Sequence, residues 1–159
     1  MTGTVSIAGV ELTPLRQIED ARGAVLHMLR ADSPGFAGFG ECYFSQVNPG
    51  SVKAWKRHQV QTQNLAVPTG RVRFVIYDAR ESSHTHGRTD VIELGRPDCY
   101  ARLCIPPMLY YGFACMSASA ALIANCADRP HDPAESESLA PEALAQGGPL
   151  SLLLAGLTS

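Results

Sequence analysis

The chain has 159 residues, enough for one domain with a sizeable core but short for two. Charged residues are 18% of the total and the formal net charge is -2, so no basic field exists to attract a nucleic acid or an anionic membrane. No apolar run approaches the roughly 20 residues of a membrane span, and the N-terminus lacks a basic-then-apolar leader pattern, which predicts a cytoplasmic protein.

In chain order, Val5 to Leu12 alternates as a strand broken at Gly9, and the turn around Glu19 to Gly23 feeds a second strand over Ala24 to Arg30. Residues 32–40 (DSPGFAGFG) hold four breakers and read as a loop. Glu41 to Val47 is a strand by alternation and is closed by the Asn48-Pro49-Gly50 turn. Val52 to His58 (VKAWKRH) then concentrates the cationic chemistry, followed by the polar run Gln59 to Asn64. As a strand of period two, it sends Ala54, Lys56 and His58 to one face and Lys53, Trp55 and Arg57 to the other.

Arg71 to Tyr77 is the cleanest strand of the chain, with Val72, Phe74 and Ile76 in strict alternation. Further strands are predicted near Thr89–Leu94, Tyr100–Ile105, Tyr110–Met116 and Ala120–Asn125. About ten short strands at regular spacing describe an all-β fold, a closed barrel or jelly roll, over residues 1–133. Residues 134–159 form a C-terminal helix and apolar tail. Asp132 is the expected N-cap, Pro133 the first helical position, and Glu135 the acidic partner of a capping box, with the helix running to about Gln146 and stopped by Gly147-Gly148-Pro149.

Five cysteines (Cys42, Cys99, Cys104, Cys115, Cys126) at wide spacing, without a CxxC, read as buried free thiols. Ser83-His84-Thr85-His86 has the H-x-H spacing by which alternate strand residues converge on an ion, but no third ligand follows, so neither a metal nor another cofactor is expected. His131 sits in a Pro-His-Asp-Pro turn and is read as part of that turn.

Several short motifs occur together in a particular order. These are DARG at Asp20 to Gly23, YFSQVNPGSVKAW at Tyr43 to Trp55, G-x-V-x-F-V-x-Y-D-x-R at Gly70 to Arg80, Ser-x-Thr-x-Gly at Ser83 to Gly87, IPP at Ile105 to Pro107, Gly112-Phe113, and PHDP at Pro130 to Pro133. In this succession the chain resembles the dTDP-4-dehydrorhamnose 3,5-epimerase family over residues 7 to 135. The resemblance implies a double-stranded β-helix (cupin jelly roll), a homodimer, and a metal-free site for a nucleoside-diphosphate 4-keto sugar. Residue by residue, it puts Lys56 where the family carries its histidine base, Ala124 where it carries its tyrosine proton donor, and Tyr111 where it carries a pocket histidine. Arg22, Gln46 and Lys53 match positions that hold nucleotide and pyrophosphate, and Tyr43 and Asn64 are grouped with them as substrate contacts.

Epimerisation beside a ketone needs a base, a stabiliser of the enolate and a donor on the other face. The base is Lys56 if neutral, or His58 with Lys56 as the charged stabiliser. Tyr111 is the expected donor, with Tyr43 or Tyr110 in reserve. Two other readings fit the residues: a silent sugar-nucleotide binder, and a cupin recruited to other carbon-acid or cyclisation chemistry.

Overall fold

The computed structural model describes residues 3–157. Two five-stranded antiparallel sheets face each other, with strands in the orders β1-β9-β6-β11-β4 and β12-β5-β10-β7-β8. The first is built from β1 (Glu11–Pro14), β4 (Glu41–Val47), β6 (Gln63–Thr69), β9 (Ala101–Ile105) and β11 (Ala121–Ala127). The second is built from β5 (Val52–His58), β7 (Arg71–Tyr77), β8 (Thr89–Gly95), β10 (Tyr110–Cys115) and β12 (Ser136–Ser138). A separate hairpin, β2 (Gln17–Asp20) with β3 (Gly23–Leu26), projects beside β1. This is the jelly roll that the strand pattern predicts, in the double-stranded β-helix form that the family resemblance implies.

The core lies between the sheets. Val72, Phe74, Ile76, Ile92 and Leu94 of the second sheet meet Leu65, Val67, Leu103, Ile105 and Ile123 of the first, all nearly inaccessible. Their strict alternation places one side chain in two inside. At about 25 cal/mol per Å² of apolar surface buried, this inner layer is the main source of stability. The loop after β7 is tied by a buried carboxylate. Asp78 accepts from Arg80, Ser83 and Thr85 at 2.6–2.8 Å, and the Arg80 guanidinium holds its carboxyl far below the usual range. The serine and threonine of the Ser83-His84-Thr85-His86 segment thus fasten a loop, while His84 and His86 are exposed.

The C-terminal region departs from the expected helix. Asp132 does cap Ala134, but the turn ends after Glu135, and Ser136–Ser138 becomes β12, paired with the edge of β5. A short 3-10 stretch (Pro141–Gly147) follows, and the helix α1 occupies Gly148–Leu154, where Pro149 stands in its first turn instead of stopping it. The physical reason is burial. Outward-facing Trp55, Val75, Tyr110 and Ala114 form a second apolar cluster, and Leu144 and Leu153 cover it. The indole N–H of Trp55 donates to the Pro141 carbonyl at 2.8 Å. The expected apolar tail therefore packs on the second sheet; residues 158–159 lie outside the described part.

The cysteines also divide differently. Cys99, Cys104 and Cys115 are buried as predicted, but Cys42 is exposed and Cys126 half-buried. These two are cross-strand partners on the outer face of β4 and β11, with sulfurs 3.5 Å apart. The alternation of β4 puts Tyr43, Ser45 and Val47 inward, and that sends Cys42 outward. Among the described residues no helix is long and apolar enough to cross a membrane.

Candidate active site

A cavity of about 500 Å³ opens between the β4 edge of the first sheet and the β5–β10 side of the second. Tyr43 and Ser45 form one wall, Lys53, Lys56, Tyr111 and Phe113 the other, and Ser138 of β12 completes the rim. Among the described residues neither lysine enters an ion pair, so the cavity presents two cations that no protein carboxylate neutralises.

Strict alternation would separate Lys53 from Lys56, and the sequence reading did separate them. The structure corrects this with a bulge. Lys56 pairs with Tyr111 and Lys53 with Phe113, so three steps along β5 oppose two along β10, which returns Lys53 to the inner face. Gly112 permits it. A Cβ there would sit 2.9 Å from both the Ala54 Cβ and the Trp55 ring. Trp55 and Arg57 do point outward, and Arg57 clamps β12 by pairing with Glu137 at 2.5 Å while lying 4.7 Å over the Tyr110 ring.

His58 lies behind the wall and does not line the cavity. It is 4% exposed, and both ring nitrogens are engaged: Nδ1 with the Glu135 carboxylate, and Nε2 with the Tyr111 hydroxyl at 3.3 Å. Burial lowers the His58 pKa, and the Glu135 carboxylate opposes that only in part. Burial also works to raise Glu135, but His58 and the backbone N–H groups of Val60 and Gln61 outweigh it and hold its pKa below the usual value. The pair is therefore neutral imidazole with carboxylate. Nδ1 carries the proton to Glu135, and Nε2 keeps a lone pair that accepts from Tyr111. Tyr111 is the group of this chain of three that reaches the cavity. Its burial raises the phenol pKa, and nearby Tyr43 and Glu135 add to the shift.

On the opposite wall Tyr43 lies 39% exposed, its hydroxyl oxygen accepting from Asn125 Nδ2 at 2.8 Å. Burial raises its pKa, against the hydrogen bond from Asn125. Ala124, the expected seat of a tyrosine, faces outward opposite Phe44, whereas Asn125, opposite Tyr43, faces inward.

The remaining predicted residues fall elsewhere. Gln46 is on the outer face of β4, beside Leu122. Asn64 alternates with inward Gln63 and Leu65, and it meets the site through its backbone N–H, which donates to Asn125 Oδ1 at 3.2 Å. Arg22 sits at the tip of the β2–β3 hairpin, paired with Asp20 at 2.6 Å and mostly exposed. The hairpin follows β1, and β1 and β4 are opposite edges of the first sheet, so Arg22 is remote from its own cavity. Glu135 and Ser138 were missed as site residues. Ser138 belongs to a three-residue strand, too short for alternation to show, and the capping pattern at Asp132 pointed to a helix through Glu135.

A jelly roll with a lysine- and tyrosine-lined cavity and a buried histidine–carboxylate pair behind it gathers acid-base side chains around one space. The family model for dTDP-4-dehydrorhamnose 3,5-epimerase matches residues 4–147. The chain is 36% identical over 107 residues to the spore coat polysaccharide biosynthesis protein SpsL of Bacillus subtilis, covering 67% of this chain and 70% of that one. It is 32% identical over 122 residues to the probable low-salt glycan biosynthesis epimerase Agl13 of Haloferax volcanii, covering 76% and 78%. A dTDP sugar isomerase of Desulfovibrio desulfuricans G20 superposes with a TM-score of 0.84 at 53% identity, over 86% of this chain and 87% of that one. The chain belongs to the dTDP-4-dehydrorhamnose 3,5-epimerase family.

Proposed function

We propose that the protein epimerises a nucleoside-diphosphate 4-keto sugar, of the dTDP-linked class, at a carbon beside the ketone. The observation that carries this is the chain from Glu135 through His58 to Tyr111, which ends in the cavity next to Lys56. His58, neutral, is the ultimate acceptor of the substrate proton. As the Tyr111 oxygen takes the proton from carbon, its own hydroxyl proton passes to Nε2, and the imidazolium that forms is stabilised by Glu135. The raised pKa of Tyr111 fits a group that stays a phenol at rest and is relieved of its proton only in step with the transfer.

Lys56, beside Tyr111 in register, is the cation for the developing enolate oxygen. Of the two roles left open between Lys56 and His58, this reading takes the second, with His58, sealed at 4% exposure, acting through its neighbour. Lys53, which lines the cavity beside Phe113, is the contact for the diphosphate in this reading.

Arg22 belongs to this reading only in a homodimer. Its hairpin leaves Ile18 43% and Val25 60% exposed, and β4 is an unpaired sheet edge that walls the cavity. A hairpin added to the β4 edge of a second copy would cover both liabilities and bring Arg22 to that copy's nucleotide.

The test is turnover of a dTDP-linked 4-keto-6-deoxyhexose by Lys56→Ala and His58→Asn. Both lose epimer formation by about 10²–10⁴-fold, while dTDP still binds. Only the Lys56 variant keeps the acid limb of the pH profile, which lies below the free-histidine value of about 6.5 because burial lowers the His58 pKa and activity falls as the ring is protonated. Wild-type turnover in both variants would refute the assignment.

A further inference from the structure

Inversion returns the proton from the face opposite the one that lost it, and neither Lys56, Tyr111 nor His58 can do so, because all three stand on the second sheet. We propose that Tyr43, on the facing sheet, is the proton donor that completes the inversion. The proposal rests on the epimerase reading above.

The argument lies in the direction of a hydrogen-bonded chain. At one end the backbone N–H of Asn64 donates to Asn125 Oδ1, at 3.2 Å. At the other the backbone carbonyl of Arg129 accepts from Gln61 Nε2, at 2.6 Å. A backbone N–H can only donate and a carbonyl can only accept, so these ends fix every amide between them. Gln61 Oε1 must accept from Gln63 Nε2, at 2.6 Å, and Gln63 Oε1 must accept from Asn125 Nδ2, at 2.5 Å. The second N–H of Asn125 is then left to donate to Tyr43, at 2.8 Å. No flip of Asn125 is compatible with this network.

Two consequences follow for Tyr43. Its oxygen is already an acceptor, so its own hydroxyl proton is directed to a partner other than Asn125, and Tyr43 is one of the residues that line the cavity. The Asn125 N–H is also poised to hold the phenolate that remains after the proton leaves. In the step, the enolate electron pair forms the new C–H bond with the Tyr43 proton and the ketone is restored. The Tyr43 phenolate then takes a proton from water and the His58 imidazolium returns one to solvent through Tyr111, so no net proton is consumed; Tyr43 is 39% exposed. Asn125 itself is a positioning residue, 2% exposed and without a proton to give. The tyrosine that β11 lacks at Ala124 thus has a counterpart on the neighbouring strand, its hydroxyl held by the inward residue of β11.

Tyr43→Phe keeps the ring and removes only the hydroxyl. In D₂O with a dTDP-linked 4-keto-6-deoxyhexose, the variant is expected to keep washing solvent deuterium into the carbon beside the ketone with retained configuration, because removal and return through Tyr111 survive. Formation of the epimer falls by about 10²–10⁴-fold. Epimer formation at the wild-type rate by Tyr43→Phe, with normal exchange by the wild type, overturns the role of Tyr43 and leaves the epimerase reading standing. No deuterium exchange by the wild type overturns both.

Discussion

Glu135→Gln probes the buried pair with the least change in shape. In the native chain one Glu135 oxygen accepts from His58 Nδ1 and the other faces the N–H groups of Val60 and Gln61, at 3.2 and 3.3 Å. A glutamine has one oxygen for these two sides. If it serves the backbone, its NH₂ meets His58 and forces the proton to Nε2, which removes the acceptor that Tyr111 needs. If it serves His58, the N–H groups of Val60 and Gln61 face an amide donor.

In either case the imidazolium formed during proton removal loses its counter-charge. Two unit charges about 4 Å apart at an effective dielectric of about 20 interact by about 4 kcal/mol. That corresponds to roughly a 10³-fold loss in kcat, at about 1.36 kcal/mol per tenfold. The sign of the pH effect is also fixed. Glu135 is one of the groups that raise the His58 pKa against burial, so its neutralisation moves the acid limb to lower pH even as the plateau drops. The assay is initial epimerisation rate against pH. A rate within fivefold of wild type, or an acid limb that moves upward, would refute the relay.

Leu153→Ala tests the C-terminal cover: the side chain is fully buried against the Trp55 cluster, so about 2–5 kcal/mol of stability is lost, read as a lower urea midpoint. An unchanged midpoint would mean that the tail does not pack there. Mixing Arg22→Ala with Lys56→Ala tests the shared site, because a mixed dimer carries one cavity with both an intact lysine and an intact partner arginine. Activity is expected to reappear on mixing two nearly inactive variants, and its failure to do so would rule out an Arg22 that reaches across.

Much of this was legible in the sequence, and the exceptions have physical causes. Period-two alternation located β4, β5, β7 and β8 within a residue or two, since a strand between two packed sheets must bury every second side chain. The same rule failed at Lys53, because a bulge depends on how β5 meets Gly112 of β10, a contact that no local pattern reports. It placed His58 on the inner face but could not say that Tyr111 would screen it from the cavity. The capping signal at Asp132 formed as expected, yet the helix after it lost to the open edge of β5 and to the apolar cluster around Trp55. Glu135 was read as a cap because its real partner, His58, is 77 positions away. The directed amide chain was equally hidden: Gln61, Gln63 and Asn64 appear in sequence as a polar run, and only the pairing with β11 brings Asn125 among them.

The measurement closest to the central claim is mass-resolved incorporation of solvent deuterium into a dTDP-linked 4-keto-6-deoxyhexose by the wild-type protein. Proton removal through Tyr111 and His58 predicts a gain of one mass unit per exchanged carbon beside the ketone, at a rate at least equal to epimer formation. A substrate that is bound but returned without deuterium would contradict the account.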